Sequence, residues 1–168
     1  FSEEADIEIF HPRKIEHRED VPPLVWGIDE EHAVNYFFPR DCPRVIFRRS
    51  EKISKEDELR FFKDSVANTI IVVENDWVER ILNTELYKYT FRSENFELND
   101  GTAGYYTSRV TVEPIKVEPV GNLLQAIINQ GVELRITPNL YPLREAIIQS
   151  TMDDFSMIRF RNAMQLNK

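Results

Sequence analysis

The chain has 168 residues, 42% hydrophobic and 11% aromatic, with five glycines and no biased tract. That length and apolar supply fit a single folded domain over residues 1–168 and exclude a collagen, a flexible linker or a disordered chain. A formal charge of −8 disfavours nucleic acid and membrane surfaces as partners, because both are polyanionic. The one cysteine, Cys42, excludes an internal disulfide and a cysteine-based zinc site, and fits a reducing cytoplasm. No apolar run approaches the roughly 18 residues that span a bilayer, and no secretory leader is expected. Oligomeric state is left open.

Taken in order, residues 6–10 alternate polar and apolar around Ile7 and Ile9, the pattern of a half-buried strand that Pro12 ends. The charged stretch 13–20 has no periodicity and leads into Pro22 and Pro23, so it reads as an exposed loop. Residues 24–28 read as the second strand. Asp29 is placed to cap a helix with Glu30 and Glu31 in its first turn, and Ala33, Tyr36 and Phe37 form its inward face until Pro39. Residues 45–47 are the next strand.

Ser54 and Asp57 signal the start of a helix carrying Leu59, Phe61 and Phe62. The β-branched run 69–73 predicts a strand covered on both faces, at the centre of a sheet. Residues 76–82 read as a helix with Trp77, Val78, Ile81 and Leu82 inward. Short strands follow over 87–91, 96–98, 105–112 and 115–117, punctuated by Asn99-Asp100-Gly101 and Pro114. A helix over 122–129 ends where Gly131 can supply a left-handed residue. A strand over 132–136, a helix over 142–149 with proline in its first turn and a strand over 157–161 complete the chain. The pattern predicts an α+β fold, with a mainly antiparallel, split sheet and flanking helices.

The residues that could carry chemistry concentrate between positions 22 and 47. His32 follows three acids, but the other histidines, His11 and His17, lie in the expected loop, so a metal site lacks ligands and a helix-surface histidine is preferred. Cys42 beside arginines has the setting of a lowered thiol pKa, yet no histidine base accompanies it, and a small, partly buried residue is the plainer reading. Arg40, Arg44, Arg48 and Arg49 could grip a phosphate, with Arg44 and Arg48 on one face of a strand, or pair with the excess of carboxylates. Trp26, Tyr36 and Phe37 could clamp a flat heterocycle or pack a core. Further on, Tyr106 and Ser108 share one strand face opposite Tyr105 and Thr107, and Glu113 and Glu118 flank prolines as acid or base candidates.

The segments FSEEADIEIFHPR, PPLVWGIDEEHAVNYFFPRDCPRV, AGYYTSRVTVEPIKVEPVGNLLQAIINQGVELRITPNLYPL and FSMIRFRNA together resemble an uncharacterised bacterial family, a domain of unknown function. More distantly, the chain resembles the ADP-ribosyltransferase-like fold, a split antiparallel sheet that binds NAD in a cleft. VWGIDEEHAVNYF resembles the element that stacks on nicotinamide, which implies Trp26, Tyr36 and Phe37 as stackers, with Arg44 and Arg48 as the phosphate side. By the same resemblance, the ribose-holding histidine of the first strand falls just before Phe1. Where the transferases place their acid, near Gly104, this chain offers Tyr105 and Tyr106, with Glu113 a displaced substitute. A phenol cannot stabilise an oxocarbenium-like centre as a carboxylate does, so the implied cleft binds NAD or another nucleotide with transfer chemistry unassigned, its catalytic candidates being Tyr106 and Glu113. The alternative is a non-catalytic ligand-binding or protein-interaction domain.

Overall fold

Nine strands and four α-helices make up the described part of this computed structural model, residues 1–14 and 20–165. His17 and most of the loop expected over 13–20 lie outside the described residues. The class is α+β, as the sequence pattern implied. The described chain gathers into two compact units, each made of two separate segments: residues 1–37 with 85–121, and residues 38–84 with 122–168.

In the first unit, β1 (Val25–Ile28), β6 (Tyr105–Ser108) and β5 (Glu97–Asp100) form an antiparallel sheet in the order β1-β6-β5. A second antiparallel pair joins β4 (Tyr87–Thr90) to β7 (Lys116–Pro119). Between them lies a cluster of rings: Phe10 packs edge to face, 5.0 Å from both Tyr89 and Phe91, and Phe96 lies tilted 5.6 Å from Phe91. The strand expected over 6–10 does not form. The Ile7 amide donates to the Tyr89 hydroxyl at 3.2 Å, and that hydroxyl donates to the Glu4 carbonyl at 2.6 Å. A side chain therefore takes the backbone groups that a neighbouring strand would have needed, leaving isolated bridges at Ser2, Phe10 and Arg13 among the described residues. The helix expected after Asp29 shrinks to one 3₁₀ turn, Ala33–Tyr36. Val34, Asn35 and Tyr36 are weak helix formers, and its amides close to the third carbonyl back.

The second unit is built on a mixed sheet ordered β8-β3-β2-β9. Its strands are β2 (Arg44–Arg48), β3 (Thr69–Glu74), β8 (Glu133–Thr137) and β9 (Phe155–Ile158), with β3 parallel to β8 and the other pairs antiparallel. As the run Thr69-Ile-Ile-Val-Val predicted, β3 is interior and its apolar residues are buried. Phe47, Phe61, Phe62, Ile70, Val72, Leu140 and Ile147 form the core between this sheet, α1 (Lys55–Phe62) and α4 (Tyr141–Ile148). Ser54 caps α1 by accepting from the Asp57 amide, and Asn122 caps α3 (Leu123–Ile128) by accepting from the Gln125 amide. Gly131 is left-handed at φ 70°, as its position past α3 implied. Along α2 (Val78–Asn83) only Ile81 is buried, whereas Leu82, expected inward, is exposed. The last strand ends earlier than the sequence implied because Arg159 turns left-handed, at φ 53°.

These differences in burial set the expected responses to truncation. Phe47→Ala, which empties a fully buried site contacting two other phenylalanine rings, should lower unfolding free energy by about 3–5 kcal/mol. Leu59→Ala, on the same unit's α1 but 64% exposed, should stay within about 0.5 kcal/mol of wild type. Urea denaturation of both variants checks the contrast.

Candidate functional site

The first unit brings several of the expected residues together on one sheet face. Register pairs Trp26 with Thr107 and Ile28 with Tyr105, and residues opposite one another in an antiparallel pair share a face. Trp26, Ile28, Tyr105 and Thr107 therefore lie on one side, while Val25, Gly27, Tyr106 and Ser108 lie on the other. The Trp26 and Tyr105 rings meet edge to face with centroids 5.8 Å apart. Tyr36, from the 3₁₀ turn, meets the same tyrosine, its hydroxyl 2.7 Å from the Tyr105 hydroxyl. Two phenols and a flanking indole thus hold one another in place, with the Trp26 residue still 39% exposed.

Beside this face, the turn from β1 into the 3₁₀ segment carries a second arrangement. Asp29 donates its amide to the Gly104 carbonyl at 3.0 Å, extending the β1–β6 pairing by one bond. Its carboxylate Oδ1 accepts the His32 backbone N–H and the His32 ring Nδ1–H, both at 2.8 Å. His32 is only 8% exposed, so the surface placement that the sequence suggested is corrected: the Asp29 pair and the chain around Gly104 enclose the ring. Gly104 is required there twice. Its φ of 69° is left-handed, and a Cβ would fall on His32 Nδ1 and within 2.7 Å of both Asp29 carboxylate oxygens.

The remaining expected site residues are placed elsewhere. Phe37 packs edge to face on Phe1, with centroids 5.3 Å apart. Tyr106 is on the opposite sheet face from Trp26, the face where Phe96 lies 3.3 Å from the point a Gly27 Cβ would occupy. Glu113 is exposed, as is His11, which meets the Thr111 hydroxyl at 3.1 Å.

Arg44 and Arg48 belong to the second unit, and their charges are engaged there. Arg44 is buried, donates to the Cys42 carbonyl at 2.7 Å and lies 5.0 Å above the Phe38 ring. Arg48 pairs with Asp154 at 3.4 Å. Arg49 pairs with Glu58, donates to the Ser65 carbonyl at 2.7 Å and covers the Phe62 ring. Arg40 is exposed, and its carbonyl accepts from Arg159. Cys42 is fully buried rather than partly so. Loss of water raises its thiol to about 12, although the nearby Arg44 and Arg80 charges pull the other way, so burial outweighs the lowering that its arginine neighbours suggested. Among the described residues, no group of three or more His, Cys, Asp or Glu could hold a metal ion.

With the fold and this geometry in view, comparison with known families identifies the chain through residues 1–163. It belongs to DUF6886, a family of unknown function. No curated protein and no solved structure matches it. No helix is long and apolar enough to cross a membrane among the described residues.

Two residues of consequence escaped the sequence reading. Asp29 reads in the sequence as a helix cap, though the Asp-x-x-His spacing is what lets one carboxylate hold both the amide and the ring of the histidine. Glu74, buried at the end of β3, accepts the Leu140 amide at 3.0 Å and the Met164 amide at 2.9 Å. Nothing local in the sequence marks it.

Two outcomes follow from the site. Gly104→Ala should lower Tm well beyond Gly121→Ala, because both glycines are left-handed but a Cβ at Gly121 meets nothing within 4 Å. By thermal unfolding, backbone strain alone costs about 1 kcal/mol, and the collision with Asp29 and His32 adds to it. Cys42 should resist Ellman's reagent at pH 8 in the native protein and react at once in denaturant. Prompt labelling of the native protein would contradict the burial and raised pKa of the thiol.

Proposed function

We propose that this protein binds a nucleotide such as NAD, laying a planar ring against the Trp26–Tyr105 face of the first unit, and that it does so without catalysing transfer. The observation that carries the reading is the Tyr36–Tyr105 hydroxyl contact at 2.7 Å, which fixes Tyr105 edge-on to a partly exposed Trp26. An indole held rigid and open to solvent stacks on a flat heterocycle without first losing side-chain freedom. The resemblance of this segment to the nicotinamide-stacking element of ADP-ribosyltransferases is the reason for choosing NAD among flat ligands. Arg44 and Arg48, each engaged within its own unit, add nothing to this reading, which rests on Trp26, Tyr36 and Tyr105.

The chemistry around the ring supports a reading without transfer. Tyr106 faces away from Trp26, and Glu113 is an exposed residue beyond β6, so neither candidate acid supports the reaction centre. A second reading, a module that binds a protein partner, draws on the exposed Leu98, Val110 and Ile115 of the same unit.

Differential scanning fluorimetry with NAD and with ADP-ribose tests the choice. A ligand at 100 times its Kd should raise Tm by about 5–10 °C, since binding to the folded state alone adds about 2.7 kcal/mol. Trp26→Ala should fold and lose the shift, while Trp26→Phe should keep most of it. No shift with either compound overturns the nucleotide reading and leaves the partner-binding one. An undiminished shift in Trp26→Ala means that the ring binds elsewhere.

A further inference from the structure

β8 is an edge strand of the second unit, and its outer side is open. The order β8-β3-β2-β9 gives it one neighbour, and among the described residues no hydrogen bond from outside the sheet reaches the backbone of residues 132–137. Free edges are usually guarded by a lysine, a proline, a bulge or an abrupt end. At β9, the opposite edge of the same sheet, left-handed Arg159 turns the chain away after four residues. β8 has no such guard. It runs beside β3 without a register shift, and its first proline, Pro138, lies beyond the strand.

Both faces of the strand carry unfinished business to that edge. Register sets Leu134 and Ile136 beside Ile71 and Val73, which are fully buried, so the four share one face of the sheet. With no strand on their outer side, Leu134 is only half-buried and Ile136 is 55% exposed. On the other face Glu133 and Arg135 pair at 2.6 Å, and Arg135 also donates to the Phe61 carbonyl at 2.9 Å. Their side chains remain 36% and 37% exposed.

The sequence from Val132 to Ile136 is complementary to itself when reversed. In an antiparallel pair of two copies with a two-fold axis at Leu134, that leucine faces its own counterpart, Glu133 faces Arg135 and Val132 faces Ile136. The four charges then alternate around a square, so each keeps the partner in its own chain and gains an opposite charge across the pair. Other registers fail. An axis at Arg135 opposes two arginines, one at Glu133 opposes two carboxylates, and one between Leu134 and Arg135 sets the apolar face against the charged one. We infer that β8 is the docking edge for a second copy of this chain, the two strands pairing antiparallel about Leu134 and joining two four-stranded sheets into one of eight. The inference stands on the second unit alone and is independent of the nucleotide reading.

Analytical ultracentrifugation of the full chain, from micromolar to near-millimolar concentration, tests it. The wild type should reach a species of twice the 19.9 kDa chain mass. Glu133→Arg and Arg135→Glu should each weaken self-association about tenfold or more, because the two-fold axis makes every substitution count twice. Mixed in equal amounts, these two variants place opposite charges across the axis again and should recover most of the wild-type affinity as a heterodimer. Ile136→Lys, at a position already open to solvent, should stay folded by circular dichroism and remain a monomer. A wild type that is monomeric throughout overturns the inference, as does a dimer that neither charge reversal weakens, or a mixture no tighter than its components. Should either single reversal fail to fold, the double variant, which regains its own-chain ion pair, must dimerise as the wild type does while Ile136→Lys does not; any other result overturns the β8 edge as the interface.

Discussion

The absence of a side chain at Gly104 is the constraint on which the first unit's site depends. A left-handed backbone there, at φ 69°, lets the chain come down onto the carboxylate of Asp29 and the ring of His32. The same residue gives its carbonyl to the Asp29 amide, so one glycine both extends the β1–β6 ladder and makes room for the pair that the ladder carries. The consequence continues outward. Because β6 starts immediately after this contact, Tyr105 is delivered onto the face of Trp26 with the register that places Tyr106 on the opposite side. A shift of one residue would exchange the two tyrosines and dismantle the contact with Tyr36.

The second unit solves a different problem, the burial of charge. β2 carries an arginine at each end of an otherwise apolar strand, and both belong to the sheet rather than to solvent: Arg44 is buried and reaches a carbonyl, and Arg48 reaches Asp154 on the chain entering β9. Glu74 ends β3 without water and takes its hydrogen bonds from two backbone amides, those of Leu140 and Met164. A buried carboxylate of this kind stabilises only while each acceptor position is used, since an unpaired charge in a core is far more costly than the bonds are favourable. The arginines that read in the sequence as a cationic grip are consumed by this arrangement.

The sequence revealed most where local chemistry decides structure. The run from Thr69 to Val73 reads as a doubly covered strand, and Ser54 and Gly131 mark helix ends through contacts within a few residues. It misled where a distant group intervenes. Residues 6–10 alternate correctly for a strand, but Tyr89 satisfies the Ile7 amide from 82 positions away. Trp26, Tyr36 and Phe37 were grouped by proximity along the chain, yet only register shows that Tyr105 belongs with the first two and that Phe37 belongs with Phe1. His32 looked peripheral because the chain that closes over it, around Gly104, is distant in sequence. The α+β class was legible, whereas the identity of the site depended on pairings that no local pattern encodes.

The division of each unit between two stretches of chain has a consequence for synthesis on the ribosome. β1 is completed early, but its partner β6 follows only after the whole of residues 38–84 has been made, and these residues belong to the other unit. The second unit waits in turn, because Glu74 obtains the last of its backbone donors at Met164, 90 positions downstream. Neither unit can complete itself from a contiguous piece of nascent chain. The first unit waits for residues 85–121 and the second for those after 121, with the exposed edge of β1 and the unsatisfied carboxylate of Glu74 as the groups that have to be kept from premature partners in the interval.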